Sequence, residues 1–187
     1  KEHKRHLKQF HKLSDRHILA VETDMPYSDV IKVVAFSDKI RKAGNELVGL
    51  MRKNYDQLMR TKRYRKLLFL YGNTKDKDKR KTYAKQLNEM QKAYNITWEY
   101  CRTSMIPIGK KYCVDAVFAL TKAEDIWRGI EKCLYGNGNV LHFSKYGDLP
   151  CIRAKQMNRG IPISVTDNKL HFKLGRMVFG IQTNDRF

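Results

Sequence analysis

Basic side chains surround one aromatic ring at residues 60–66, where Arg60, Lys62, Arg63, Arg65 and Lys66 flank Tyr64. Guanidinium and ammonium groups pair with phosphate oxygens, and a ring among them can stack on a base or a sugar. The expected chemistry is a backbone grip, with Arg60, Lys62, Arg63 and Arg65 on phosphates and Tyr64 against a base. A solvated helix face is the plainer alternative. A second grouping lies at residues 103–112. Thr103 and Ser104 can cap a helix start, where free backbone N–H groups and a partial positive charge attract a phosphate. Lys110, Lys111 and Tyr112 follow within two turns, so a hydroxyl, cations and an aromatic are expected together there. Here the plainer alternative is an ordinary N-cap followed by solvated lysines.

Bond-breaking chemistry has no such grouping. Glu124 and Asp125 are adjacent, but neighbours on a helix diverge and do not converge on one ion. Asp115 and Asp148 stand alone, and there is no phosphate-binding glycine loop, nucleophile elbow or zinc-protease motif. Two-metal phosphodiester hydrolysis needs several converging carboxylates, so no catalytic residue is assigned. His3, His6, His11 and His17 crowd the start of the chain without a carboxylate or thiol at useful ligand spacing. Cys101, Cys113, Cys133 and Cys151 contain no CxxC pair and are read as reduced, unlinked thiols. No metal ligand and no cofactor is assigned to this chain.

The charge says which partner to expect. Across 187 residues there are 38 basic and 19 acidic side chains, a net +19. Self-repulsion on that scale disfavours a compact chain unless something anionic neutralises it, and nucleic acid is the usual answer. A membrane surface would need a broad apolar helix face free of a core, and no apolar run approaches a span. At 42% hydrophobic and 11% aromatic content the chain can still bury a core, which excludes wholesale disorder.

The elements that position these residues follow from periodicity. Met25-Pro26-Tyr27-Ser28-Asp29 reads as a turn and cap. Val33, Phe36, Ile40, Ala43, Leu47, Leu50 and Leu58 then keep a helical period to about Arg60. A further helix ends at Gly72-Asn73, and another carries Tyr83, Leu87, Met90 and Tyr94 on its buried side. Residues 103–138 read as one joining helix with Pro107 in its first turn and Gly136-Asn137-Gly138 as its stop. Its stripe is Ala116, Leu120, Ala123, Trp127, Ile130 and Leu134, with Trp127 expected between bundle and sheet. Past Gly138 the period becomes two. Ile161, Ile163 and Val165, then Leu170, Phe172 and Leu174, then Met177, Phe179 and Ile181 alternate with polar residues; Ile152-Arg153 and residues 140–143 are read as further strands. The fold class is α+β, an antiparallel long-helix bundle followed by a small antiparallel β-barrel, in a fragment of a larger protein.

This order of parts resembles the amino-terminal lobe of TnpB-type transposon nucleases and the compact type V CRISPR nucleases. The likeness rests on the helix AVFALTKAEDIWRGIEKCLYGNGNV and the segment SKYGDLPCIRAKQMNRGIPISVTDNKLHFKL. Lys145, Cys151-Ile152-Arg153 and Ile161-Pro162-Ile163 hold the places of the family's pattern, and the helix around Asn45 is similar to the family's early helix. The resemblance implies a basic arm or first wedge element at residues 1–28, a helical recognition domain at 29–138 and a β wedge at 139–187. It implies a lobe of an RNA-guided DNA endonuclease that grips guide RNA, the guide–target heteroduplex and the duplex flanking the target. The helix start at Ser104, Lys110 and Lys111 would lie beside that duplex. On the wedge, Lys145, Arg153, Lys155, Gln156, Asn158 and Arg159 would face it, Gln and Asn suiting adenine edges and Arg guanine. The family's acidic triad and CxxC zinc ribbon are absent here, so nuclease activity and its Mg2+ are expected of the remaining nuclease domain of a longer parent chain. The same resemblance implies a bacterial or archaeal cytoplasmic protein. Two other readings stand beside it: a free-standing basic RNA- or DNA-binding module, and a regulator derived from such a nuclease.

Overall fold

In the computed structural model, which describes residues 25–136, 138, 140–147, 152–153, 160–166 and 169–182, one long helix is the element on which the others pack. Helix α1 (Tyr27–Arg60) buries Phe36, Ile40, Ala43, Leu47, Met51 and Leu58, a set at steps of three, four and seven that lies along one face. The basic arm expected at residues 1–28 lies outside the described residues except for its last four, of which Tyr27 and Ser28 open α1.

A single extended residue ends α1. Thr61 takes φ −72° and ψ 116°, and its hydroxyl turns back to the Gln57 carbonyl and to the Tyr94 hydroxyl. Helix α2 (Lys62–Asn73) leaves from there and pairs with α3 (Lys77–Ala93), whose N-cap Asp76 accepts from the N–H groups of Asp78 and Lys79.

The joining helix expected at residues 103–138 is two helices. Helix α4 (Trp98–Lys111) starts five residues earlier than Thr103, with Thr97 as its cap accepting from the Tyr100 N–H at 3.1 Å. Thr103 and Ser104 sit mid-helix, and the Thr103 hydroxyl donates back to the Glu99 carbonyl at 2.8 Å. Pro107 falls in the helix interior, where it forfeits a backbone hydrogen bond. Helix α5 (Ala116–Tyr135) follows.

The ends of α3 and α4 use one device twice. Asn95 and Cys113 take positive φ, 57° and 55°. Beyond them, Ile96 donates to Gln91 and Val114 to Gly109, closing the six-to-one bond of a left-handed helix cap. Ile96 and Val114 are buried, so each cap also plants an apolar residue in the core. The buried face of α5 is Phe118, Ala119, Ala123, Ile126 and Ile130; Trp127 packs half-buried at its edge. Of the expected stripe, Ala123 and Ile130 lie on this buried face, while Ala116, Leu120, Trp127 and Leu134 lie to one side of it.

After α5 the chain runs back along α1. No strand forms at 140–143 or 152–153; instead the Asn45 amide pairs with the backbone as a strand would, accepting from the Ser144 N–H and donating to the Ser144 carbonyl, both at 2.9 Å. Leu141 is buried beside Gly129.

The closed barrel is not found. Among the described residues there is an open three-stranded antiparallel sheet, β1 (Ile163–Thr166), β2 (Lys169–Leu174) and β3 (Met177–Gln182), in sequence order. Alternation sets the register: Phe172 opposes Ile163 on one side and Phe179 on the other, and Leu174 opposes Met177. Phe172 and Phe179 stack at 5.0 Å, while Leu174 and Phe179 are buried with the helical core. The β2–β3 turn brings Gly175, at φ 62°, against the carboxylate of Asp115 and the ring of Phe36.

Candidate nucleic-acid interface

Arg60 closes α1, and Lys62, Arg63, Arg65 and Lys66 occupy the first turns of α2; all five are exposed. The first turn of α2 has no acidic residue and no side-chain cap, so these cations stand at the positive end of the helix dipole. On the partner helix, Lys75, Lys77, Lys79, Arg80, Lys81, Lys85 and Lys92 are exposed, against Asp76, Asp78 and Glu89. Arg80 lies over the Tyr71 ring at 4.8 Å, which ties the α3 face to the α2 face.

Elsewhere several anions are engaged by cations of their own. Asp29 holds Lys32, Asp38 holds Arg41 and Lys42, Glu46 holds Lys111, Glu99 holds Arg102, Glu124 reaches Arg128, and Asp125 holds Arg153. Hydrogen bonds from Lys42 and Arg41 pull the Asp38 carboxyl below the usual range, and those from Lys111 and Tyr112 do the same for Glu46. Among the described residues no salt bridge reaches Arg60 or any cation of α2.

Tyr64 corrects the expectation made for it. Its ring is fully buried, and its hydroxyl accepts from Gln91 Nε2 at 3.0 Å, while Gln91 Oε1 accepts from the Tyr135 hydroxyl at 2.8 Å. Burial pushes the Tyr64 phenol pKa up. The ring is core and is not available to a base. Tyr64, Leu67 and Tyr71 are spaced by three and four, the signal of a buried stripe that the surrounding charges obscure.

The second grouping dissolves as a helix start. Ser104 lies in the middle of α4, while Lys110, Lys111 and Tyr112 stand at its C-terminal end, so the free N–H groups expected beside them are elsewhere. Lys111 is bound to Glu46 at 2.7 Å, and Tyr112 donates to the same carboxylate at 2.8 Å, which fastens α4 to α1. Lys110 is exposed. Lys145 is exposed beyond α5, and Arg153 is exposed but held by Asp125 at 2.6 Å. Lys155, Gln156, Asn158 and Arg159 lie outside the described residues.

Catalytic chemistry has no foothold among the described residues. No group of three or more His, Cys, Asp or Glu side chains could hold a metal ion there. Glu124 and Asp125 are each occupied by an arginine and do not fit an Mg2+ site, so no chemical step is assigned to this chain. Cys101 is buried, its thiol pushed up to about 12 and aimed at the Ala123 carbonyl. Lys122 lays its stem across Gly44, and burial lowers its ammonium pKa. No described helix is long and apolar enough to cross a membrane. No protein-family model, curated protein or solved structure matches the chain.

Proposed function

We propose that this chain is a nucleic-acid-binding lobe that grips phosphate backbone along the α2–α3 hairpin. In the role its resemblance implies, it would hold guide RNA and the guide–target heteroduplex for the nuclease domain of a longer parent chain. The observation that carries the reading is the set of exposed cations at Arg60, Lys62, Arg63, Arg65 and Lys66, which no carboxylate among the described residues neutralises. Like charges grouped about a helix N-terminus raise the local positive potential, which a bound phosphate backbone relieves. Phosphate contacts position a nucleic acid without reading its sequence, so this face suits a heteroduplex recognised by shape.

The test is binding to structured RNA, an RNA–DNA heteroduplex and duplex DNA over a salt series. On duplex DNA the logarithmic slope is expected at about −0.9 per phosphate engaged. Replacing Arg60, Lys62, Arg63 and Arg65 by glutamine should weaken binding to all sequences alike and flatten that slope. A wild-type affinity indifferent to salt, or a quadruple variant that binds normally, overturns the reading.

A further inference from the structure

The segment at 140–147 is fixed from behind and decorated in front. Asn45 of α1 holds Ser144 by both backbone groups at 2.9 Å, and Leu141 is buried. The side chains between and beyond these anchors point outward: His142, Phe143, Lys145 and Tyr146 are exposed, Phe143 by 49% and Tyr146 by 86%. An arginine of α1 backs each ring. Arg52 lies 6.0 Å from the Phe143 centroid and Arg41 lies 5.6 Å from that of Tyr146. Arg41 is itself anchored by Asp38 at 2.7 Å, so its guanidinium is set in place before any ligand arrives.

Tyr146 adjoins the exposed Tyr27, Val30, Ile31 and Val34 of α1, and a contiguous exposed patch of this kind marks an interaction surface. Two properties identify the partner. A ring backed by a guanidinium and flanked by Lys145 and His142 suits a partner that joins a π-face to negative charge. An apolar peptide offers neither. Nucleotides offer both, and stacking requires the base to be unpaired.

We propose that Phe143 and Tyr146, backed by Arg52 and Arg41, form a two-ring platform on which unpaired bases of a single-stranded nucleic acid stack. The two rings rest on arginines eleven positions apart on α1, one ring to each guanidinium, so each ring offers a surface for its own base. The platform deepens the nucleic-acid reading given above and rests on it. It adds a different substrate class, because the α2–α3 face grips phosphate whether or not the bases are paired.

Three probes of equal length separate the parts: an oligothymidylate, an abasic oligomer with the same phosphates, and a duplex. The full chain is expected to bind the oligothymidylate more tightly than the abasic strand. Phe143→Ala and Tyr146→Ala should each weaken oligothymidylate binding roughly tenfold, leaving the duplex and abasic affinities unchanged. Tyr146→Phe should bind as the parent does. Both rings are exposed, so melting temperatures should hold. As a readout that needs no truncation, Phe143→Trp should add to the emission of Trp98 and Trp127 a component that oligothymidylate quenches and the abasic strand does not. Equal losses on all three probes, no loss on any, or an unquenched tryptophan overturns the platform. If the parent binds all three probes and the oligothymidylate no more tightly than the abasic strand, the platform alone fails. If it binds none of the three, the phosphate reading fails and the platform with it.

Discussion

Tyr64 and its neighbours show how one side chain can be misread by its company. Five cations flank it in sequence, yet the ring points inward and the charges outward, as a helix with a 3.6-residue repeat requires. Tyr64→Ala should cost about 3–5 kcal/mol in thermal or denaturant unfolding, as truncation of a buried aromatic does. Tyr64→Phe should cost about 1–3 kcal/mol, because it strands the buried Gln91 amide donor. At a temperature where both variants are folded, affinity for nucleic acid should be unchanged. A normal melting curve with lost affinity would put the ring back at the interface. The exposed charges were legible from composition; the burial of the ring was legible only from its spacing to Leu67 and Tyr71.

At the scale of elements, the helices were legible where the period is long and the stop signals are ordinary. Helix α1 reads from the spacing of Phe36, Ile40, Ala43 and Leu47, and α2 ends at Gly72-Asn73 as expected. The break between α4 and α5 was not legible, because its left-handed residue is a cysteine where glycine or asparagine is the usual signal. Its helical neighbours on both sides let the pattern run through. That choice of residue leaves strain, since a Cβ in this region costs about 1–2 kcal/mol. Cys113→Gly should relieve part of it and raise the melting temperature, with Val114 still donating to Gly109. A fall in melting temperature would mean that the cysteine side chain contributes more than its backbone strain removes. The strands were legible from alternation, and even the β2–β3 turn was marked by Gly175-Arg176. Barrel closure was not, because alternation identifies a buried face without identifying what covers it. Here Leu174 and Phe179 are covered by the helices, so no second layer of sheet is required.

For the molecule as a whole, the sheet meets the helices through Leu174 and Phe179 and through a close approach at the β2–β3 turn. At Gly175 a side chain would meet the Asp115 carboxylate, and its φ of 62° already disfavours any other residue. Gly175→Ala should therefore destabilise by more than about 1 kcal/mol, measured as a lower midpoint in urea. A normal midpoint would show that the turn can lift from α5 without loss. The charge of +19 has the same whole-molecule character: ion pairs engage carboxylates on α1, α4 and α5, while among the described residues no salt bridge reaches a cation of α2. Composition announces the surplus, but only the pairing shows where it is left. The clasp between Asn45 and Ser144 carries one more implication, which concerns the order of events in folding. Its partners are 99 positions apart in the chain, and closing a loop of that length costs roughly 4 kcal/mol in chain entropy. Two hydrogen bonds do not offset that sum. The clasp therefore closes only after α2 to α5 have shortened the distance by packing on α1, and we expect it among the last contacts made and the first released. Phe143 and Tyr146 are then presented only by chains whose helical bundle is already complete.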